Sequence, residues 1–382
     1  MTARPADGAS RPRVSVVVPT YNRARYIVEA LDSVFAQTFR EIEVIVVDDG
    51  STDDTAERLA PYAGRIEYVR TENQGPARAR NEGMRRARGE YIAWLDSDDS
   101  YYPFKLQLQV EILDRCPDAG FVYSEFTAFD DAGWLDEWHL QRYHASAYRR
   151  GVTYDSLFEE SEPIDHLVDV RASLDGFRPE WRARRVYRGH IFHAYLMATV
   201  VFTNSLLFRR ELIDLVGLEA PRFGLFYDLE FVLRLCRQHR AVFVDVPTYK
   251  LRYHPDQVST TSGPERGRIA IRKQQALRRV FEAHRDDDPE WARANRAAID
   301  RQAARLCRAV AVPMLSLGGR PHEERSYPRR ARRYLARAAA LGHPDRYLWA
   351  LSFAPPFVRR VAFAVGERLR RLSSWAKKGR VQ

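Results

Sequence analysis

The chain has 382 residues, 45% hydrophobic and 29% charged, with a mean hydropathy of −0.47, which excludes fibrous and disordered classes and leaves room for one large and one smaller domain. No apolar run reaches the roughly 18 residues of a membrane-spanning helix, Met1 to Pro12 carries no secretory-signal pattern, and Cys116, Cys236 and Cys307 are too scattered for a disulfide framework, so a reducing cytoplasm is expected. The net charge of +10 is uneven: Pro321 to Gln382 holds 15 Lys/Arg against 4 Asp/Glu, so the excess marks an anionic partner for the C-terminal region alone.

Val14 to Val18 is a β-branched run ended by Pro19 and predicts a buried strand. Arg25 to Gln37 spaces Ile27, Ala30, Leu31, Val34 and Phe35 as a helix does. Val44 to Val47 predicts a second strand, stopped by the turn signal Asp48-Asp49-Gly50-Ser51. A helix over Thr52–Tyr62, a strand over Ile66–Val69 and a helix over Pro76–Arg88 follow, the last closed by Gly89 at a C-cap position. Tyr91 to Leu95 predicts a fourth strand running into Asp96-Ser97-Asp98-Asp99. Such alternation predicts an α/β fold, a mostly parallel central sheet flanked by helices.

Trp134 to Leu196 is rich in Trp, Tyr, His, Arg and Asp without clear periodicity and is expected to lie irregularly over the site. A strand is expected over Val200–Phe208, a helix over Asp228–Arg240 and a strand over Ala241–Val246. Gly263-Pro264 punctuates the chain, and beyond it Arg266–Leu317 and Tyr327–Leu341 read as helices. The expected organisation is a flexible stretch 1–10, an α/β domain over 11–262 with a less regular acceptor-side part at 134–198, and a basic helical extension over 263–382.

In a parallel sheet, ligands gather at the carboxyl ends of the strands. Those ends carry Thr20-Tyr21-Asn22-Arg23, Asp48-Asp49 and Asp96-Ser97-Asp98-Asp99. Two aspartates two residues apart can offer oxygen ligands to a hard divalent cation, though the same residues also make solvated turns. Asp49 could accept from a base or a ribose hydroxyl, or cap a helix. Tyr21 could lie on a nucleobase, and Arg78 or Arg80, at a helix start, could meet a phosphate; Arg80 is favoured. HExxH, Walker A, GxGxxG and zinc-knuckle spacings are absent, which disfavours a nicotinamide oxidoreductase and a kinase.

Four blocks, Val14 to Arg23, Asp48 to Asp53, Gly75 to Asn81 and Gly89 to Asp99, together resemble the family 2 glycosyltransferases over roughly Arg13 to Thr261. The resemblance implies the GT-A fold and an inverting, metal-dependent transfer from a nucleotide sugar. It implies that Pro19, Tyr21 and Asp49 hold the nucleotide base, with Thr20 and Asn22 among the nucleotide-binding residues, and that Arg80 approaches base and diphosphate. Asp96 and Asp98 match the DxD motif, Asp96 toward the ribose or a metal-bound water and Asp98 on the cation, Mg2+ or Mn2+. Tyr249 to His254 resembles the closing strand, so His254 could reach diphosphate or metal. Thr203 to Arg210 resembles the strand before the acceptor helix, and Phe226 to Arg234 the start of that helix, where Asp228 matches the usual general base. Tyr227 stands where the family commonly has Glu.

The expected function is transfer from a nucleoside-diphosphate sugar, UDP-linked, to a glycan, lipid-linked or other hydroxyl acceptor in cell-surface polysaccharide or glycoconjugate synthesis. The alternatives are a nucleotidyltransferase on the same fold and a non-catalytic membrane-associated scaffold. Tyr347 to Val365 mixes aromatics and aliphatics with Arg359-Arg360, followed by Arg368, Arg370-Arg371 and Lys377-Lys378. That tail fits docking on the inner face of a membrane, or packing of its apolar face on the catalytic domain. No nucleic-acid partner is expected, since no recognised motif accompanies the charge.

Overall fold

The computed structural model describes residues 11–148, 151–168, 177–257, 266–317 and 321–366. The expected flexible stretch 1–10 and the basic residues Arg368, Arg370, Arg371, Lys377 and Lys378 lie outside the described residues. The chain divides into two compact units, one running to Arg222 and resuming over Tyr227–Gln257, the other made of Phe223–Phe226 and the residues from 258 onward.

The first unit is built on one sheet. Its strands are β1 (Val14–Thr20), β2 (Ile42–Asp48), β3 (Glu67–Arg70), β4 (Tyr91–Trp94), β5 (Ser100–Tyr101), β6 (Ala119–Asp130), β7 (Gly133–Asp136), β8 (Glu160–Pro163), β9 (Arg185–Gly189), β10 (Leu207–Arg209) and β11 (Arg240–Arg252). Their order is β3-β2-β1-β4-β10-β6-β11-β9-β8, with β5 against β11 and β7 against β6. The β3-β2-β1-β4 half is parallel, β10 is antiparallel to both its neighbours, and β6 and β11 are again parallel. Early helices are α1 (Ile27–Phe35), α2 (Thr55–Leu59), α3 (Pro76–Arg86) and α4 (Lys105–Arg115).

Local sequence explains the core. Every residue of β1 is buried, as its position between β2 and β4 requires. Helix α1 buries Ile27, Ala30, Leu31 and Val34, one stripe at helical spacing. Helix α3 lies so close to β1 that a Cβ on Gly83 would sit 2.3 Å from a Val17 methyl. Because β1, β2 and β4 run parallel, Thr20–Arg23, Asp48–Ser51 and Leu95–Asp99 emerge along one edge.

Three expectations change. Gly89 is no C-cap: α3 ends at Arg86 with Ala87 as an extended cap, and Gly89 instead donates its N–H to Ser15 Oγ at 2.9 Å. A Cβ there would lie 2.7 Å from the Ser15 backbone nitrogen, so close approach of backbones is what requires glycine. The strand expected over Val200–Phe208 shrinks to Leu207–Arg209, because Thr203–Ser205 forms a 3-10 turn whose side chains bond sideways. Lastly, β11 runs on to Arg252, past Val246, and pairs with β6, a twelve-residue strand that the hydrophobic pattern did not single out.

The helical unit holds Arg266–His284, Pro289–Ala294, Arg296–Ser316, Pro321–Ala340 and Arg346–Leu351, with a further helical stretch over 356–366. Its core gathers Ile271, Val310, Ala311, Met314, Leu315, Ala331, Leu335 and Leu348.

Candidate active site

The acidic group after β4 is held from three sides. Arg80 Nη2 donates to Asp96 Oδ1 at 2.6 Å and Asn204 Nδ2 to Asp96 Oδ2 at 2.5 Å. Asp98 Oδ2 accepts from Arg23 Nε at 3.0 Å and lies 3.0 Å from His254 Nε2. Asp99 accepts from Tyr249 Oη at 2.7 Å and from the Arg252 N–H at 2.8 Å. One ligand oxygen from each of Asp96, Asp98 and Asp99 can be chosen so that all lie within 4.8 Å of one another.

Electrostatics separates these carboxylates. Burial works to raise the Asp98 pKa, but His254 and Arg23 outweigh it and hold Asp98 below the usual carboxylate range. Asp99 is 2% exposed, and burial with the like charges of Asp98 and Asp96 pushes it well above that range. Asp99 thus braces β11 through the Tyr249 hydroxyl and the Arg252 N–H.

Asp228 comes from the far half of the chain, in the first turn of the Tyr227–Gln238 helix. Its Oδ2 accepts from Thr203 Oγ1 at 2.6 Å. Thr203 and Asn204 are adjacent, so neighbouring side chains of one turn hold Asp228 and Asp96. The turn is fixed from below: the buried Lys105 Nζ and Gln109 Nε2 each donate to Ser205 O at 2.9 Å, and Ser205 Oγ pairs with the Ser124 backbone. Burial pulls the Lys105 pKa well down.

The residues expected around a base are placed at the ends of β1 and β2. Pro19 is within β1, the Thr20 hydroxyl is buried, and the Tyr21 ring is 41% exposed. Asn22 takes a left-handed conformation (φ 52°); its N–H donates to Ser51 Oγ and its Oδ1 accepts from Thr52 N–H at 2.7 Å, which ties the two strand ends together. Asp48 accepts from Ser51 N–H and Tyr68 Oη, the turn role. Asp49 accepts from the N–H groups of Gln74 and Gly75 at 2.8 and 2.7 Å, so it fastens the loop that starts α3. His254 is buried against Tyr26, ring centroids 4.6 Å apart.

One acid at this site escaped the sequence reading. Glu219 is buried beside Arg80, its Oε1 3.6 Å from Arg80 Nη1. Its backbone N–H and C=O both pair with the Asn81 side chain at 2.9 Å, so consecutive residues of α3 hold its main chain and its carboxylate. Arg234 donates to the carbonyls of Gly217 and Leu218 and keeps the loop folded back. The Tyr227 ring faces the same guanidinium, 5.8 Å away. Only Gly217 and Pro221, which bracket the loop, mark this segment in sequence, and neither announces a site.

Residues 15–167 match the family model described as "Glycosyl transferase family 2". An uncharacterized glycosyltransferase of Rickettsia typhi is 46% identical over 104 residues, 27% of this chain and 33% of the relative. The putative teichuronic acid biosynthesis glycosyltransferase TuaG of Bacillus subtilis is 42% identical over 107 residues, 27% of this chain and 42% of the relative. The chain thus spans less than half the length of either relative. Among solved structures, the mannosyltransferase PcManGT of Pyrobaculum calidifontis, in complex with GDP-Man and Mn2+, is 22% identical with a TM-score of 0.49, covering 93% of this chain and 86% of that one.

Proposed function

We propose that this chain, whose residues 15–167 belong to glycosyl transferase family 2, transfers a sugar from a nucleoside-diphosphate sugar, UDP-linked, to an acceptor hydroxyl with inversion at the anomeric carbon. One observation carries the reading: the adjacent Thr203 and Asn204 hold Asp228 and Asp96, so a proton acceptor and the acidic group share one site.

The roles follow from chemistry. An acceptor alcohol is a poor nucleophile until a placed carboxylate takes its proton. Asp228 receives that proton as the acceptor oxygen bonds to the anomeric carbon. The bond from that carbon to the diphosphate breaks, and its electron pair leaves with the nucleotide. Attack and departure occur on opposite faces, so inversion needs no second carboxylate nucleophile. Arg80 and Arg23 offer charge-assisted hydrogen bonds to the growing phosphate charge. Tyr21, with Pro19, Thr20, Asn22 and Asp49, forms the base-side wall.

Asp96 and Asp98 would offer the oxygen donors that Mg2+ or Mn2+ prefers, with His254 Nε2, 3.0 Å from Asp98 Oδ2, as a further donor. When bound, such a cation stabilises the charge on the departing diphosphate. The acceptor is a glycan, a lipid-linked sugar or another hydroxyl compound of cell-surface polysaccharide or glycoconjugate synthesis, in line with the teichuronic acid biosynthesis for which TuaG is named. The working place is the cytoplasmic side of the membrane.

The test is nucleotide release from a panel of UDP- and GDP-sugars, beside protection by UDP with Mn2+ in thermal melts. Asp228→Asn should keep the protection and lose roughly 10²–10⁴-fold in turnover, the share a positioned base contributes. Turnover at the wild-type rate in that variant would refute the assignment.

A further inference from the structure

The helical unit turns apolar side chains outward where water would favour polar ones. Over 356–366, helical spacing groups Phe357, Val358, Val361, Ala364 and Val365 on one face, and all five are exposed. Phe357 is 64%, Val361 59% and Val365 52% exposed. A helix on a soluble protein normally carries its apolar stripe inward. Here the opposite face is the packed one: Arg359 is 6% exposed and donates to Ala354 O at 2.6 Å, and Phe363 packs on the core of the unit. The outward stripe is therefore not a core face left unused.

The patch continues backward along the chain. Phe353 is 63%, Tyr347 62% and Trp349 42% exposed. Trp349 and Phe353 meet edge to face at 5.9 Å, and the Arg332 guanidinium lies 4.4 Å over Phe353. Seven of the thirteen large exposed hydrophobics among the described residues fall between Tyr347 and Val365, which is a concentration and not the usual scatter.

We propose that this surface is an in-plane anchor that lays residues 347–366 on an anionic lipid surface. Charge selects that occupant. The stretch from Pro321 to Gln382 holds 15 basic against 4 acidic residues, and Arg346 and Arg360 beside the stripe are exposed. An anionic headgroup layer neutralises this excess, whereas a second copy would bring the same excess to its own interface. Tyr347 and Trp349 are the side chains that settle at the headgroup level. Among the described residues no helix is long and apolar enough to cross a bilayer, and the proposed geometry is a helix lying in the interface. The proposal does not depend on the transfer chemistry, because it rests on the other unit.

The experiment is flotation of the full chain with phosphatidylcholine vesicles, with and without phosphatidylglycerol, at low and high salt. The wild type should float with the anionic vesicles and lose that binding as salt rises. The triple variant Phe353→Glu, Phe357→Glu, Val361→Glu should bind at least about tenfold more weakly, given the apolar area it withdraws. The milder pair Phe357→Ser, Val361→Ser serves if the triple variant does not fold, and should weaken binding in the same direction. Wild type that stays at the bottom with anionic vesicles, or folded variants that float as well as wild type, overturn the proposal. So does a lipid-independent dimer in sedimentation that the same substitutions dissolve, which would make the stripe a self-association face.

Discussion

Removing the carboxylate of Glu219 should both weaken the fold and loosen the site. Arg80 is buried, with Asp96 and Asn204 on Nη2 at 2.6 and 2.9 Å and Glu219 3.6 Å from Nη1. Neither Glu219 oxygen has a hydrogen-bond partner, and neither do Arg80 Nε and Nη1. For an ionised pair at that separation and an effective dielectric near 20, the attraction would reach about 4–5 kcal/mol. Burial and the like charges of Asp228 and Asp96 keep the Glu219 pKa well above the usual carboxylate range against the pull of Arg80, so its contribution is smaller than that ceiling. Breaking a buried pair costs about 3–5 kcal/mol when the survivor is left alone. Arg80 keeps Asp96, so we expect about 2 kcal/mol for Glu219→Ala and less for the volume-preserving Glu219→Gln. Urea unfolding followed by circular dichroism measures this. Nucleotide-release assays should show the accompanying slack at Asp96 as a higher Mn2+ requirement, with Asp228 unchanged. Both variants unfolding at the wild-type midpoint, with an unchanged Mn2+ requirement, would refute the charge argument.

Three other changes are informative. Asp98→Ala removes the carboxylate that Arg23 and His254 share; turnover should fall at least about 100-fold, and Mn2+ titration of the variant should show no recovery. Burial raises Glu125 from its ordinary 4.5 to about 7, against the pull of the Leu140 and Phe126 N–H groups. The folded state then binds the extra proton, so this contribution is full below about 4.5 and is lost as pH rises through 7, up to about 3 kcal/mol. Unfolding free energies at pH 5 and pH 8 should differ less in Glu125→Gln than in wild type. Gly89→Ala should destabilise by about 1–3 kcal/mol, read as a lowered melting temperature, because its Cβ would meet β1 backbone atoms within 3 Å.

The half of the site built from β1, β2 and β4 was legible because parallel strands send consecutive sequence blocks to one edge. Val14–Val18, Val44–Val47 and Tyr91–Leu95 are short apolar runs ended by polar clusters, and β1, β2 and β4 follow them closely. What those clusters do was less legible. Asp48 and Asp49 are neighbours of the same type, yet one closes a turn and the other fastens the Gln74-Gly75 loop, a distinction made only by strand register and the return of a remote loop. The Thr203–Ser205 turn carried a strand-like pattern, and it became a turn through bonds to Lys105, Gln109 and Ser124, none close in sequence. Strand β6 lay unmarked because its buried run, Ala119 to Ala128, includes Ser124, Glu125 and Thr127, whose polarity hides a strand covered on both sides.

Position 227 shows why a motif read along one segment can misplace a charge. The resemblance puts an acid there, and this chain has Tyr227, whose ring faces Arg80 without matching its charge. The acid beside that guanidinium arrives from the preceding loop, as Glu219, and only because Asn81 clasps its backbone and Arg234 holds the loop carbonyls. Arg80 thus sits among Asp96, Glu219 and Asp228, all of which raise its pKa against the opposing effect of burial. A cation shared in this way couples the two acidic ends of the site. A change that moves Arg80 toward Glu219 withdraws it from Asp96, so the loop before the Tyr227–Gln238 helix bears on how firmly Asp96 is held.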